Sequence, residues 1–174
     1  MSTNDYKTLS EIKTCLESVS ADIRSSACAL ATSTTRKEII TNFNQSAIDF
    51  FNLLHQTSKD IGKEKICDVP QYLYIFEKAK NKNPDLPAEK FTLTLLKFSH
   101  HIFNREEEKV LGMSIKNQQV GDDDNGFAVI NSEMFKTLWK SLVPYQKDAI
   151  LDKLYLVTFY ALCFFYNQYV SMSK

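Results

Sequence analysis

A chain of 174 residues, 44% hydrophobic and 24% charged, has the size of one ordinary domain and is long enough to close its own core. Its 21 basic and 21 acidic residues cancel, which excludes the overall positive field that draws proteins onto nucleic acid or anionic lipid. Four glycines and four prolines are too few for a sheet-rich domain with frequent turns, so the composition points to helices.

The first segment, from about Asp5 to Ala31, carries Leu9, Ile12, Leu16, Val19, Ile23, Ser26 and Leu30 at steps of three and four, which lays one stripe along a helix. Glu11, Lys13, Glu17, Asp22 and Arg24 fall between these positions and give the helix a solvated back. The stripe is near the lower length limit of a coiled coil, so it can pack within its own chain or against a partner helix. Residues Ala31 to Thr35 break the pattern, because small hydroxyl side chains compete for backbone hydrogen bonds, and are the expected hinge.

Thr35 and Glu38 have the spacing of a capping box opening a second helix, about Arg36 to Ile61, with Ile39, Ile40, Phe43, Ala47, Phe50, Phe51 and Leu54 at helical spacing and Gly62 as a left-handed stop. Asp68 is the expected cap of a third helix, with Pro70 in its first turn and Tyr72, Leu73, Ile75, Phe76 and Ala79 toward a core. Asn83 and Pro84 end it. Asp85 and Pro87 then restart the chain as N-cap and early helical residue of a fourth helix carrying Phe91, Leu95, Phe98 and Ile102, followed by a short acidic turn from Arg105 to Leu111. Residues 112–126 are nearly devoid of apolar side chains and are expected to form a mobile acidic loop. Ser132 caps a fifth helix with Met134, Phe135, Leu138, Trp139 and Leu142, and Pro144 opens the last one, which runs to about Tyr169.

That last helix holds residues 154–166, among which only Thr158 is clearly polar, so its apolar surface runs all the way round. A bilayer core needs roughly twenty such residues, and Asp152-Lys153 and Asn167-Gln168 interrupt the run on either side. A buried central helix is the expectation. The alternative is a C-terminal membrane anchor made of residues 154–172.

Candidate chemistry is sparse. Cys15, Cys28, Cys67 and Cys163 are scattered singly, with no Cys-x-x-Cys pair and no secretory leader, which favours a reducing compartment. Asp122, Asp123, Asp124, Asn125 and Gly126 suggest half of a calcium loop, but with Gly126 at the sixth position the first and twelfth ligands would be Gly121 and Ser132, where the chemistry demands acids. His100 and His101 are adjacent, so on a helix their side chains leave the axis about 100° apart and serve one ion poorly. No nucleophile sits in a strand-to-helix elbow or other activating context, and no phosphate-cradling loop occurs. Phe, Tyr and Trp make up 12% of the chain but are not interleaved with Arg and Lys, as stacking on single-stranded nucleic acid would require. Tyr155, Tyr160, Tyr166 and Tyr169 read instead as buried rings with hydroxyls at a rim. Residues 104–133 are net acidic and those from Met134 onward are net basic, both slight enough to be solvated surface.

Three stretches together carry a resemblance: Phe50-Phe51-Asn52-Leu53-Leu54; then Phe76 to Pro84 leading to Phe91; then Leu138-Trp139-Lys140 with Gln146 to Ile150 before Leu154 and Leu156. Over roughly residues 43–162 the chain is similar to an uncharacterised, all-helical protein family of large nucleocytoplasmic DNA viruses. The resemblance implies a protein made in infected cytoplasm and serving as a virion or assembly component, and it brings no catalytic residues with it. The N-terminal stripe lies outside it.

The sequence therefore predicts an all-α, six-helix bundle around a buried C-terminal helix. An amphipathic N-terminal helix (1–31) precedes a bundle domain (35–174). The expected function is non-enzymatic interaction or architecture in the cytoplasm or virion, without metal or cofactor. Binding to a protein partner or to a second copy would use Leu9, Ile12, Leu16, Val19, Ile23 and Leu30, with Ser26 as a polar gap fixing register. At about 25 cal/mol per Å² of apolar surface, that stripe would supply several kcal/mol before ordering costs. Nucleic acid is not an expected partner; a membrane is the alternative through residues 154–172.

Overall fold

Several of the helix ends have a local cause in the chain. The computed structural model describes residues 3–63, 69–111 and 132–170. The loop expected at 112–126, the cap expected at Asp68, and Cys67 lie outside these residues. In chain order the elements are α1 (Thr3–Leu16), α2 (Ala21–Ser33), α3 (Arg36–Asp60), α4 (Val69–Lys82), α5 (Leu86–Leu96), α6 (Ser99–Phe103), α7 (Glu107–Leu111), α8 (Ser132–Lys140) and α9 (Pro144–Phe165), with a π-helical turn at Tyr166–Val170. The fold is all-α, with no strand among the described residues.

The N-terminal helix expected to run unbroken is two helices. After Leu16 the amides of Glu17, Ser18 and Val19 bond three residues back, to Thr14, Cys15 and Leu16, which tightens and ends α1. Ser20 then caps α2, its hydroxyl accepting from the Asp22 amide at 3.2 Å. This break shifts the inward positions of α2, where Ala27 and Ala31 are buried while Ser26 is exposed. The hydroxyls of Thr32 and Thr34 fold back onto the carbonyls of Cys28 and Leu30, closing α2 at the expected hinge. Thr35 accepts from the Glu38 amide at 3.1 Å and opens α3.

The far end of α3 is a Schellman motif. Gly62 sits at φ +71°, its amide bonds the Lys59 carbonyl, and the Lys63 amide reaches back to the Ser58 carbonyl at 2.8 Å. Asp85, expected as an N-cap, makes no capping hydrogen bond; its carboxylate is taken by Arg36 across the bundle. The expected fourth helix breaks at Lys97 and Phe98 into α5 and α6, and the acidic turn becomes α7. Pro144 opens α9, and the Gln146 side chain accepts from the Val143 amide at 3.0 Å.

Five successive residues of α9, Ala161 to Phe165, are buried, and at 100° per residue five in a row leave no face in water. This part of α9 is the centre of the core. Its main neighbours are α3, α5, α2 and α6. α2 lies directly on α9, while α4 packs on α3 and α5, and α8 on α7. The large buried side chains Phe43, Leu54, Leu96, Leu138, Ile150, Leu162, Phe164 and Phe165 belong to one continuous cluster. Thr158 is buried in it with its hydroxyl satisfied by the Leu154 carbonyl at 2.8 Å.

Candidate interaction surface

The six stripe residues do not share one environment. Ile12, Leu16 and Val19 are buried in the chain's own core, while Leu9, Ile23 and Leu30 are half-buried and pack on its edge. The reason is geometric: α1 lies against α5 and α6, and α2 against α9 and the π turn, so the inward face of each helix is occupied by the bundle. The apolar side chains left most open are elsewhere. Tyr145 at the start of α9 is 73% exposed and Tyr74 on α4 is 63% exposed, with Val143 and Leu156 less so. Neither tyrosine was singled out by periodicity, since each stands on the outward side of its helix.

Polar side chains meet mainly as staples between helices. Arg36, at the start of α3, donates through Nη1 to Asp85 Oδ2 at 2.5 Å and through Nε to Gln168 Oε1 at 2.9 Å, and its Nη2 lies 3.5 Å from Glu89 Oε1. Asn167 donates to the Ala31 carbonyl at 3.2 Å, and Asn44 to that of Pro84 at 2.9 Å. Trp139 Nε1 donates to Glu107 Oε1 at 2.5 Å, and Lys147 lies 3.7 Å from the same oxygen and 5.9 Å from the centre of the Trp139 ring. Arg105 pairs with Asp152. These partners are as much as 136 residues apart in sequence, so no local motif announces them.

A shallow depression of about 370 Å³ lies between α1 and the end of α5, lined by Ser10, Glu11, Thr14, Cys15 and Lys97. The Cys15 thiol donates to the Lys97 carbonyl at 3.3 Å. Burial, and then the Glu11 charge, push its pKa up, which disfavours the thiolate. Cys163 is fully buried in α9 and burial pushes its thiol up to about 12. Burial likewise raises the Tyr166 hydroxyl. The tyrosines expected to bury their rings, Tyr155, Tyr160, Tyr166 and Tyr169, are each half-buried, with Tyr155 edge-on to Phe103 at 5.0 Å.

Among the described residues no three His, Cys, Asp or Glu side chains converge as a metal site. His100 and His101 nevertheless come together: their ring centres are 3.8 Å apart although their side chains leave the helix in different directions. Sequence spacing alone does not predict that stack, because side-chain rotation overrides the helical offset.

No family model matches the chain, and no solved structure does. An uncharacterised protein, R465, of Acanthamoeba polyphaga mimivirus is 33% identical over 172 residues, covering 98% of this chain and 95% of its own length. The similarity therefore takes in α1 and α2 as well as the 43–162 region, and the chain belongs to one uncharacterised viral protein family with this mimivirus protein.

Proposed function

We propose that the protein is a non-enzymatic interaction or structural component of a large DNA virus, at work in the infected cytoplasm or the virion, and that it meets a protein partner through the α1–α2 edge. The observation that carries this reading is the use of its polar groups: Arg36, Asn167, Trp139 and Glu107 tie helices to one another in a rigid bundle. Leu9, Ile23 and Leu30 then remain half-open along one edge of it. The two cysteines whose thiols burial pushes up, Cys15 and Cys163, favour the same reading. Replacing Leu9, Ile23 and Leu30 together by Ser tests it. The reading expects a crosslinked partner, or a second copy by sedimentation equilibrium, to be lost in the triple variant while Tm falls by only a few degrees. Unchanged association of the folded triple variant, or association lost instead in Tyr74→Ser or Tyr145→Ser, speaks against it.

A second reading places the protein on a membrane through α9. The helical stretch Pro144–Tyr169, 26 residues, is long and apolar enough to cross a bilayer, and half of its most apolar window is buried inside the fold. Flotation with liposomes that is lost on deleting residues 150–174 would support it.

A further inference from the structure

The α6–α7 turn brings together two histidine rings whose buried nitrogens lack hydrogen bonds. His100 and His101 stack with ring centres 3.8 Å apart and planes tilted by 38°, and Nδ1 of each is buried without a hydrogen bond. Neutral imidazoles tolerate this spacing. Two imidazolium ions in a partly dry site do not, since like charges repel most where water cannot screen them. Burial, and then the neighbouring His101, hold His100 below its ordinary value, with Glu106 opposing them.

The stack is wired to its surroundings by the backbone. The Asn104 amide bonds the His100 carbonyl at 3.1 Å, and the Glu106 amide bonds the His101 carbonyl at 2.9 Å. Between them Arg105 is held at φ +53°. Glu106 Oε1 approaches His101 Nδ1 to 3.4 Å, and the next residue, Glu107, is the acceptor for Trp139. The helices packed against α6 are α9, α7, α1 and α5. Their charged residues are Glu107, Glu108 and Lys109 on α7, Lys147, Asp148, Asp152 and Lys153 on α9, Asp5, Lys7, Glu11 and Lys13 on α1 and Glu89 and Lys90 on α5, with Glu106 just before α7 and Lys97 at the end of α5. Asp152 is paired with Arg105, Lys147 with Glu107, and Glu11 with Lys97 at 3.8 Å. Glu106 is the carboxylate in contact with the pair, 3.4 Å from His101 Nδ1.

We propose that His100 and His101 form an acid-sensitive latch: charging both rings at this spacing drives them apart and releases the α6–α7 turn together with the Trp139–Glu107 contact. The sign follows from His100 staying neutral in the fold. Between its ordinary value of about 6.5 and its lower folded value, the unfolded or opened chain binds more protons. The latch is therefore closed above about pH 6.5 and weakens as pH falls.

Trp139 is the one tryptophan of the chain and reads the event directly. The full-length protein is titrated from pH 8 to 4.5 by tryptophan emission, with far-UV circular dichroism recorded in parallel. The latch predicts an emission change centred below pH 6.5 with helix content retained. His100→Gln shifts that midpoint down by at least half a pH unit or abolishes it, and Glu106→Gln, which removes the counter-charge, shifts it up. A transition with the same midpoint in both variants means that Glu107 itself is titrating and overturns the proposal, as does the absence of any transition above pH 4.5. Should a variant fail to fold, histidine ring NMR of the unaltered protein decides: two coupled, separated titration steps support the latch, and two independent steps near 6.5 overturn it.

Discussion

Arg36 stands over the ring of Phe164, its guanidinium carbon 5.4 Å from the ring centre, while the same side chain bonds Asp85. One residue thus joins the start of α3, the start of α5 and the end of α9. Arg36→Ala removes an ion pair, a hydrogen bond to Gln168 and a cation–π contact at a partly solvated site. The expected cost is about 1–2 kcal/mol, discounted for screening. Arg36→Lys falls between the two, because an ammonium cannot serve Asp85 and Gln168 at once. Urea unfolding of the three proteins checks the order.

The two sides of α9 differ in what a truncation costs. Leu162 is fully buried, so Leu162→Ala loses transfer free energy and leaves a cavity, about 2–5 kcal/mol. Leu156 is 36% exposed, and Leu156→Ala costs less than about 1 kcal/mol. Equal effects in denaturant titrations would mean that the buried side of the helix is misassigned.

Much of this frame is legible in the sequence, because local signals are physical causes. Gly62 supplies the left-handed residue that ends α3, Thr35 caps its start, and the apolar run of 154–166 calls for burial, which the bundle supplies on every side at 161–165 and leaves partly open at Leu156. Signals that depend on distant residues are not legible. Asp85 looks like an N-cap until Arg36, 49 residues away, claims its carboxylate. The stripe from Leu9 to Leu30 reads as one helix because Ser20 can sit on a polar face as well as at a cap, and only the tertiary path decides between these. The same ambiguity leaves Ile12, Leu16 and Val19 open to packing within the chain or against a partner, and the bundle covers them.

Thiol reactivity follows burial. Cys28 is exposed and Cys163 is not. With its thiol pushed up to about 12, Cys163 is about one part in ten thousand thiolate at pH 8. Iodoacetamide followed by peptide mass spectrometry should label Cys28 within minutes and Cys163 only when denaturant is added. Labelling of Cys163 in the native protein would show that the core around it opens.

At the α6–α7 turn, Arg105 holds a backbone angle that costs L-residues about 1–2 kcal/mol and glycine almost nothing. Its exposed pairing with Asp152 offsets little of that. Arg105→Gly is therefore expected to be more stable than Arg105→Ala by about 1 kcal/mol in thermal or chemical unfolding, and the reverse order would remove the strain from this turn.

Hydrogen exchange of α9, followed by mass spectrometry with and without liposomes, bears most directly on the molecule. Amides of residues 157–165 are predicted to exchange slowest of all in plain buffer, at the rate of global unfolding, and to be unaffected by lipid. Rapid exchange of this stretch in buffer, with protection gained only when vesicles are added, would contradict a bundle built around it.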